Sequence, residues 1–164
     1  MEISREIADA IRLDHLAVEA VDDAACEYMG INRTDLRCLD IVGRAGPMTA
    51  GRLAEESGLT NAAITIVLDR MERAGYMRRV RDTVDRRRIM VEATPQAHER
   101  AWTMYGKIAE KLYEQLERYS DEQLELLRDF LRARTEIDLE VAAEFRKRRP
   151  PSPRSARRAR ARTT

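Results

Sequence analysis

Apolar residues recur at three- and four-residue steps along most of this chain, and crowd into two short runs near its middle. Leu13, Leu16, Ala17, Ala20, Val21 and Ala24 form one stripe and predict a helix over 3–28. Gly30 fits the left-handed position that ends it. Asn32 is placed to cap a second helix, with Asp35 three residues on as a carboxylate form of the capping box. That helix carries Leu36, Leu39 and Val42 and stops near Gly43–Gly46, before Pro47. Thr49 caps a short helix over 50–57, which Gly58 ends. Thr60 caps the next, whose apolar face is Ile64, Val67, Leu68 and Met71 and whose end is Gly75.

The two short runs, about 76–80 and 88–93, are rich in Val, Ile, Met and Tyr. They flank a charged tip containing Asp82, Thr83 and Asp85, and so predict a β-hairpin with a loop longer than two residues. Thr94-Pro95 is a helix start, a capping hydroxyl followed by proline at the first helical position. That helix is expected to run to about Tyr119, with Ala101, Tyr105, Ile108, Leu112, Leu116 and Tyr119 in step. Ser120 and Gln123 form a second capping box and open a last helix, about 121–147, with Leu124, Leu127, Phe130, Leu131 and Ile137. The expected fold is mainly α with a small β-hairpin.

Composition adds an asymmetry. The 164 residues carry a formal net charge of +1, but residues 146–164 hold nine basic residues and no acid. The remaining 21 basic against 29 acidic residues give the body a net charge of −8. The expected organisation is one domain over 1–147 and a basic, disordered tail over 148–164, of a kind that adheres to anionic partners. No apolar run approaches the length of a membrane span. The N-terminal "MEISREIADAIRLDH" is acidic and amphipathic, unlike a secretory signal, so the expected location is cytoplasmic. Cys26 and Cys38, the two cysteines, do not make a disulfide framework.

Residues 49–75 read as helix, tight turn, helix. A small residue at Ala54 lets two helices cross closely, Gly58 permits the turn, and Ile64 anchors the second helix on the first. Such a unit presents the exposed edge of its second helix, and an α-helix fits the major groove of DNA. An ordinary helical hairpin shares the pattern, but the hairpin that follows shifts the balance. Between Asp69 and Arg88 there are eight arginines and four acids, a local net charge of +4 within an acidic body. Arginine at a hairpin tip suits the minor groove, and basic strands suit phosphates.

At this point the sequence resembles the MarR family of winged-helix transcriptional regulators. The resemblance lies in "GLTNAAITIVLDRMERAGYMRRVRDTVDRRRIMVEATPQA", residues 58–97, above all in the Leu-Asp-Arg-Met-Glu-Arg-Ala-Gly helix end and the Asp85-Arg86-Arg87 wing signature. It implies a winged helix-turn-helix over about 32–93, with dimerisation helices over 3–28 and 95–147. It also implies a homodimer on a pseudo-palindromic double-stranded DNA site. The long apolar stripes at 13–24, 101–119 and 124–137 agree, since so small a winged domain offers little else to pack them against. Carried over residue by residue, Thr60, Asn61, Ala62, Thr65 and Ile66 face the groove, with Arg70 behind them. Arg79, Arg81, Asp85, Arg86, Arg87 and Arg88 make the DNA-binding wing, where Asp85 is expected to hold Arg87 by a charge-assisted hydrogen bond. Relatives often carry arginine or another polar residue where this chain has Ile66. That departure leaves two readings, contact with a thymine methyl or packing on a neighbouring helix.

The resemblance further implies a small-molecule effector, often an aromatic acid, in a crevice between dimer helices and winged domain, or else a reactive cysteine. His15, Cys26 and Cys38 are the candidates for an effector or redox site, and His98 reads as exposed. A buried free cysteine is more often a small hydrophobe. The sequence contains no glycine-rich phosphate loop, no Cys/His ligand spacing and no nucleophile beside a plausible base. The expectation is therefore a regulator that is not an enzyme and needs no cofactor or metal, most simply a repressor. The rivals are an architectural nucleic-acid binder dominated by its tail and a thiol-based oxidant sensor.

Overall fold

The computed structural model describes residues 2–147, so the basic stretch 148–164 and its expected role lie outside the described residues. The helices are α1 (Glu2–Met29), α2 (Arg33–Ala45), α3 (Ala50–Ser57), α4 (Asn61–Arg73), α5 (Pro95–Leu116) and α6 (Asp121–Lys147). The strands are β1 (Met48–Thr49), β2 (Met77–Arg81) and β3 (Ile89–Ala93).

The caps explain the boundaries. The Asn32 side chain accepts the Asp35 N–H at 3.0 Å, while Asp35 Oδ2 accepts the Asn32 N–H at 3.4 Å, closing the box that opens α2. The hydroxyls of Thr49 and Thr60 accept the N–H groups of Arg52 and Ala63, both at 3.2 Å, at the starts of α3 and α4. Gly58, at φ +71°, gives α3 its left-handed end, where a side chain would be strained, and returns its N–H to Ala54 and Glu55. At the start of α6, Ser120 and Gln123 exchange bonds as a capping box.

By internal contact the described residues form two compact units, divided between residues 110 and 111. In the first, β1, β3 and β2 lie side by side in that order, all antiparallel. Met77 pairs with Ala93 and Arg81 with Ile89 across the hairpin, and Met48 pairs with Val91 on its other side. Strand β1 is absent from the sequence reading. Two residues after Pro47 are too short to show alternation, and their pairing partner lies more than 40 positions on. The core gathers Leu36, Leu39 and Val42 of α2, Leu53 of α3, Ile64, Val67, Leu68 and Met71 of α4, and Met48, Met77 and Val91 of the sheet. The face expected for α4 is therefore the buried one. The Tyr76 hydroxyl donates to the Met29 carbonyl at 3.1 Å, fastening the hairpin base to the end of α1.

The long helices are packed differently. Helix α1 buries Ala25, Cys26 and Met29 near its end, whereas Leu13 and Leu16 of its stripe are 67% and 59% exposed. In α5, Gly106 is buried beneath the Trp102 ring, and a Cβ at 106 would stand 3.1 Å from ring atoms; the indole itself is 69% exposed. In the second unit, α6 has no buried residue, and Leu126, Phe130, Leu131, Ile137, Leu139 and Phe145 are all exposed. No helix among the described residues is long and apolar enough to cross a membrane.

Candidate nucleic-acid interface

Helix α4 turns its four large apolar residues inward, so the residues between them face out. Thr60, Asn61, Ala62, Thr65 and Ile66 are exposed on the first two turns. The Thr65 hydroxyl donates to the Asn61 carbonyl at 3.0 Å, which leaves its oxygen as an acceptor. Ile66 is 62% exposed, so it is not packed away on a neighbouring helix. It lies with Ala63, Val67 and Arg70 along a shallow groove whose other wall is Asn32, Arg33 and Thr34 at the start of α2.

The tip of the wing is ordered by its own hydrogen bonds. The Asp82 N–H donates to the Arg88 carbonyl at 3.0 Å, and the Arg88 N–H to the Asp85 carbonyl at 2.9 Å. Asp82 Oδ1 accepts the Val84 N–H at 2.8 Å, and Asp85 Oδ1 accepts the Arg87 N–H at 3.0 Å. The expected Asp85–Arg87 link is therefore made to the backbone, because a carboxylate two residues upstream reaches the amide in an Asx turn more readily than the end of a long side chain. Arg88 approaches Asp82 at 4.0 Å. Arg81, Arg86 and Arg87 are exposed, and no carboxylate among the described residues pairs with their guanidinium groups.

Two arginines placed at the interface from sequence turn inward instead. Arg70 grips the fully buried Asp35 of α2, Nε to Oδ2 at 2.6 Å and Nη2 to Oδ1. Arg79 reaches back from β2 to the end of α4, bonding Glu72 and, at 2.8 Å, Asp69. Glu72 also accepts the Arg79 backbone N–H at 2.8 Å. The physical reason is the same for both: a nearby carboxylate that has lost part of its hydration offers a fork-shaped partner. Asp69 and Glu72 are the wing's attachment points. A neighbouring strand arginine, Arg78, pairs with Glu92 across the hairpin at 2.5 Å.

A separate crevice of about 620 Å³ opens within the first unit beside α1, α2 and α5. Met29, Leu36, Leu39 and Ala97 supply apolar lining, with Asp22, Arg33, Arg37, His98 and Tyr105 among the polar groups. Arg33 bonds Asp22 at 3.1 Å, Asp23 at 2.6 Å and the Glu19 carbonyl at 3.0 Å. The Tyr105 hydroxyl donates to Asp22 at 3.2 Å. Burial, and secondarily the Asp22 charge, push that phenol up to about 12. None of the three effector candidates lines the crevice. His15 is exposed on α1, 3.5 Å from Glu19. Cys26 and Cys38 are buried in the core, and desolvation pushes both thiols up, away from the reactive thiolate. His98 is exposed, as the sequence suggests, and also lines the crevice.

A helix-turn-helix followed by a basic β-hairpin wing, whose β3 also pairs with β1, defines a DNA-binding protein of the winged-helix class. Residues 31–89 match the MarR family profile. The chain is 35% identical over 108 residues to the HTH-type transcriptional regulator YcgE of Bacillus subtilis (strain 168), a match spanning 66% of this chain and 70% of that one. It belongs to the MarR family of transcriptional regulators. Solved structures share the fold. A mutant of S. aureus MepR bound to an oligodeoxyribonucleotide superposes with a TM-score of 0.55 at 17% identity, covering 79% of this chain and 96% of that one. NadR in complex with 4-hydroxyphenylacetate gives a TM-score of 0.55 at 20% identity, covering 77% and 90%.

Proposed function

We propose that the protein is a homodimeric, sequence-specific repressor that occupies a pseudo-palindromic operator and is released by a small acidic effector. The observation that carries this reading is the pairing of an uncharged, exposed helix front with wing arginines that no carboxylate holds. The wing supplies salt-dependent attraction to phosphates and the minor groove, while the helix reads base edges. Thr60 and Asn61 offer hydrogen bonds, and Ala62 and Ile66 offer contact to thymine methyls, which favours an A·T-rich half-site. Two-fold symmetry would place half-site centres about 10–10.5 bp apart. The unburied apolar residues of α1 and α6 support dimerisation, because a chain in water does not leave that much large apolar surface open. The crevice, apolar within and carrying Arg37 and His98, suits an aromatic carboxylate.

The test is selection of duplexes from a random pool, then affinity for the selected and a random duplex with and without residues 148–164. Discrimination that survives the deletion supports the reading. Discrimination that vanishes with the tail favours the architectural binder. Ile66→Ala should weaken the selected site about fourfold, the value of one buried methyl-sized contact. Replacing the contacted thymine by uracil should cost the wild type as much, and an indifferent wild type removes Ile66 from base reading.

A further inference from the structure

Arg70 lies on the recognition helix, where an arginine is ordinarily assigned to a phosphate or a base. Its geometry assigns it elsewhere. Asp35, on α2, has a side chain only 1% exposed, and both of its oxygens are taken by Arg70. One of them also accepts the Asn32 N–H that closes the α2 capping box. A single buried carboxylate thus caps the start of α2 and clamps α4. The clamp is two-pronged and planar, so it restrains rotation of α4 about its own axis as well as its distance from α2. Val67 and Met71, buried on either side of Arg70, hold that part of α4 to the core. Toward the reading end the core holds Ile64, whereas Asn61, Ala62, Thr65 and Ile66 are all exposed. At 1.5 Å per residue, Ala62 lies about 12 Å from Arg70, so a swing of roughly 5° at the clamp shifts the reading end by about 1 Å.

We propose that Asp35 and Arg70 are a positioning pair that sets the pose of the recognition helix, and that Arg70 acts on DNA through Asp35 rather than by touching phosphate. The proposal rests on the DNA-reading function above. Its test uses Arg70→Lys and Asp35→Asn in the full chain. Lysine keeps the charge a phosphate needs but cannot make the two-pronged bond. Each variant should bind the duplex selected by the wild type more weakly by roughly tenfold, the cost typical of one mismatched base pair. Binding to random duplex, and the slope of log affinity against log salt, should stay at wild-type values. If Arg70→Lys binds as the wild type does and Asp35→Asn binds as tightly or more tightly, the proposal is overturned. Arg70→Gln gives a further reading, because a slope lowered by about 0.9 identifies a lost phosphate contact and also overturns it. Should Asp35→Asn fail to fold, Arg70→Lys with its salt slope decides. Should the wild type select no duplex, the functional reading fails. Amide exchange then decides this proposal: faster exchange confined to residues 61–73 in Arg70→Lys upholds it, and unchanged exchange refutes it.

Discussion

Burial sets the chemistry of the two cysteines. Cys38 has no exposed surface and Cys26 only 8%, and desolvation raises both thiols. At pH 8 the folded protein should alkylate with iodoacetamide far more slowly than a free thiol, Cys38 more slowly than Cys26. Single Cys→Ser variants assign the rates, and a cysteine that reacts like a free thiol would return the oxidant-sensor reading to contention. Tyr105 carries a different pH signature. Its phenol is held neutral, with a value of about 12 against an ordinary 10.0. A raised acid contributes stability that is complete below pH 10 and is lost as pH climbs toward 12. Thermal melts across that interval should fall more steeply for the wild type than for Tyr105→Phe. Parallel curves would mean that the phenol is not held buried beside Asp22 in solution.

Among the elements, the wing depends on a joint at the end of α4. Glu72 accepts both the backbone N–H and the guanidinium of Arg79, so Glu72→Ala removes two bonds at once. Both side chains are about one-third exposed, which limits the expected loss to about 1 kcal/mol. Hydrogen exchange should accelerate in Met77–Arg81 well before it does in α2, and uniform acceleration would show that the joint is not local. This joint marks where sequence stops being informative. Helix and hairpin boundaries were legible because capping residues act on neighbours two to four positions away. The buried face of α4 was legible for a similar reason, since helical periodicity is local. Strand β1, the Arg79 joint and the Arg70 clamp depend on partners brought close only by folding. Asp35 could be read as a cap from its spacing to Asn32, but its second role depends on a residue 35 positions away. A weak signal existed. Arg70 stands three residues after the buried Val67 and one before the buried Met71, at the border of the core face and not opposite it. In the interface, Thr60, Asn61, Ala62, Thr65 and Ile66 were legible as an exposed edge, whereas the inward turn of two arginines was not.

For the whole molecule, the unmet apolar surface of α6 is the main consequence of the fold. Leu131 is half exposed on a helix that buries none of its residues. If the proposed dimer forms through this surface, Leu131→Glu in the full chain should shift sedimentation from dimer toward monomer and leave the helical signal nearly unchanged; an unshifted dimer would exclude this part of α6 from the interface. The single tryptophan offers a way to watch α5 at the same time. Because Gly106 gives its indole a flat bed on α5 and leaves the opposite ring face open to water, Trp102 is a built-in optical gauge. If the proposed dimer covers that face, the Trp102 emission should move to shorter wavelength on assembly and to longer wavelength on dilution. The protein thus carries its own dye, and assembly can be followed without attaching a label.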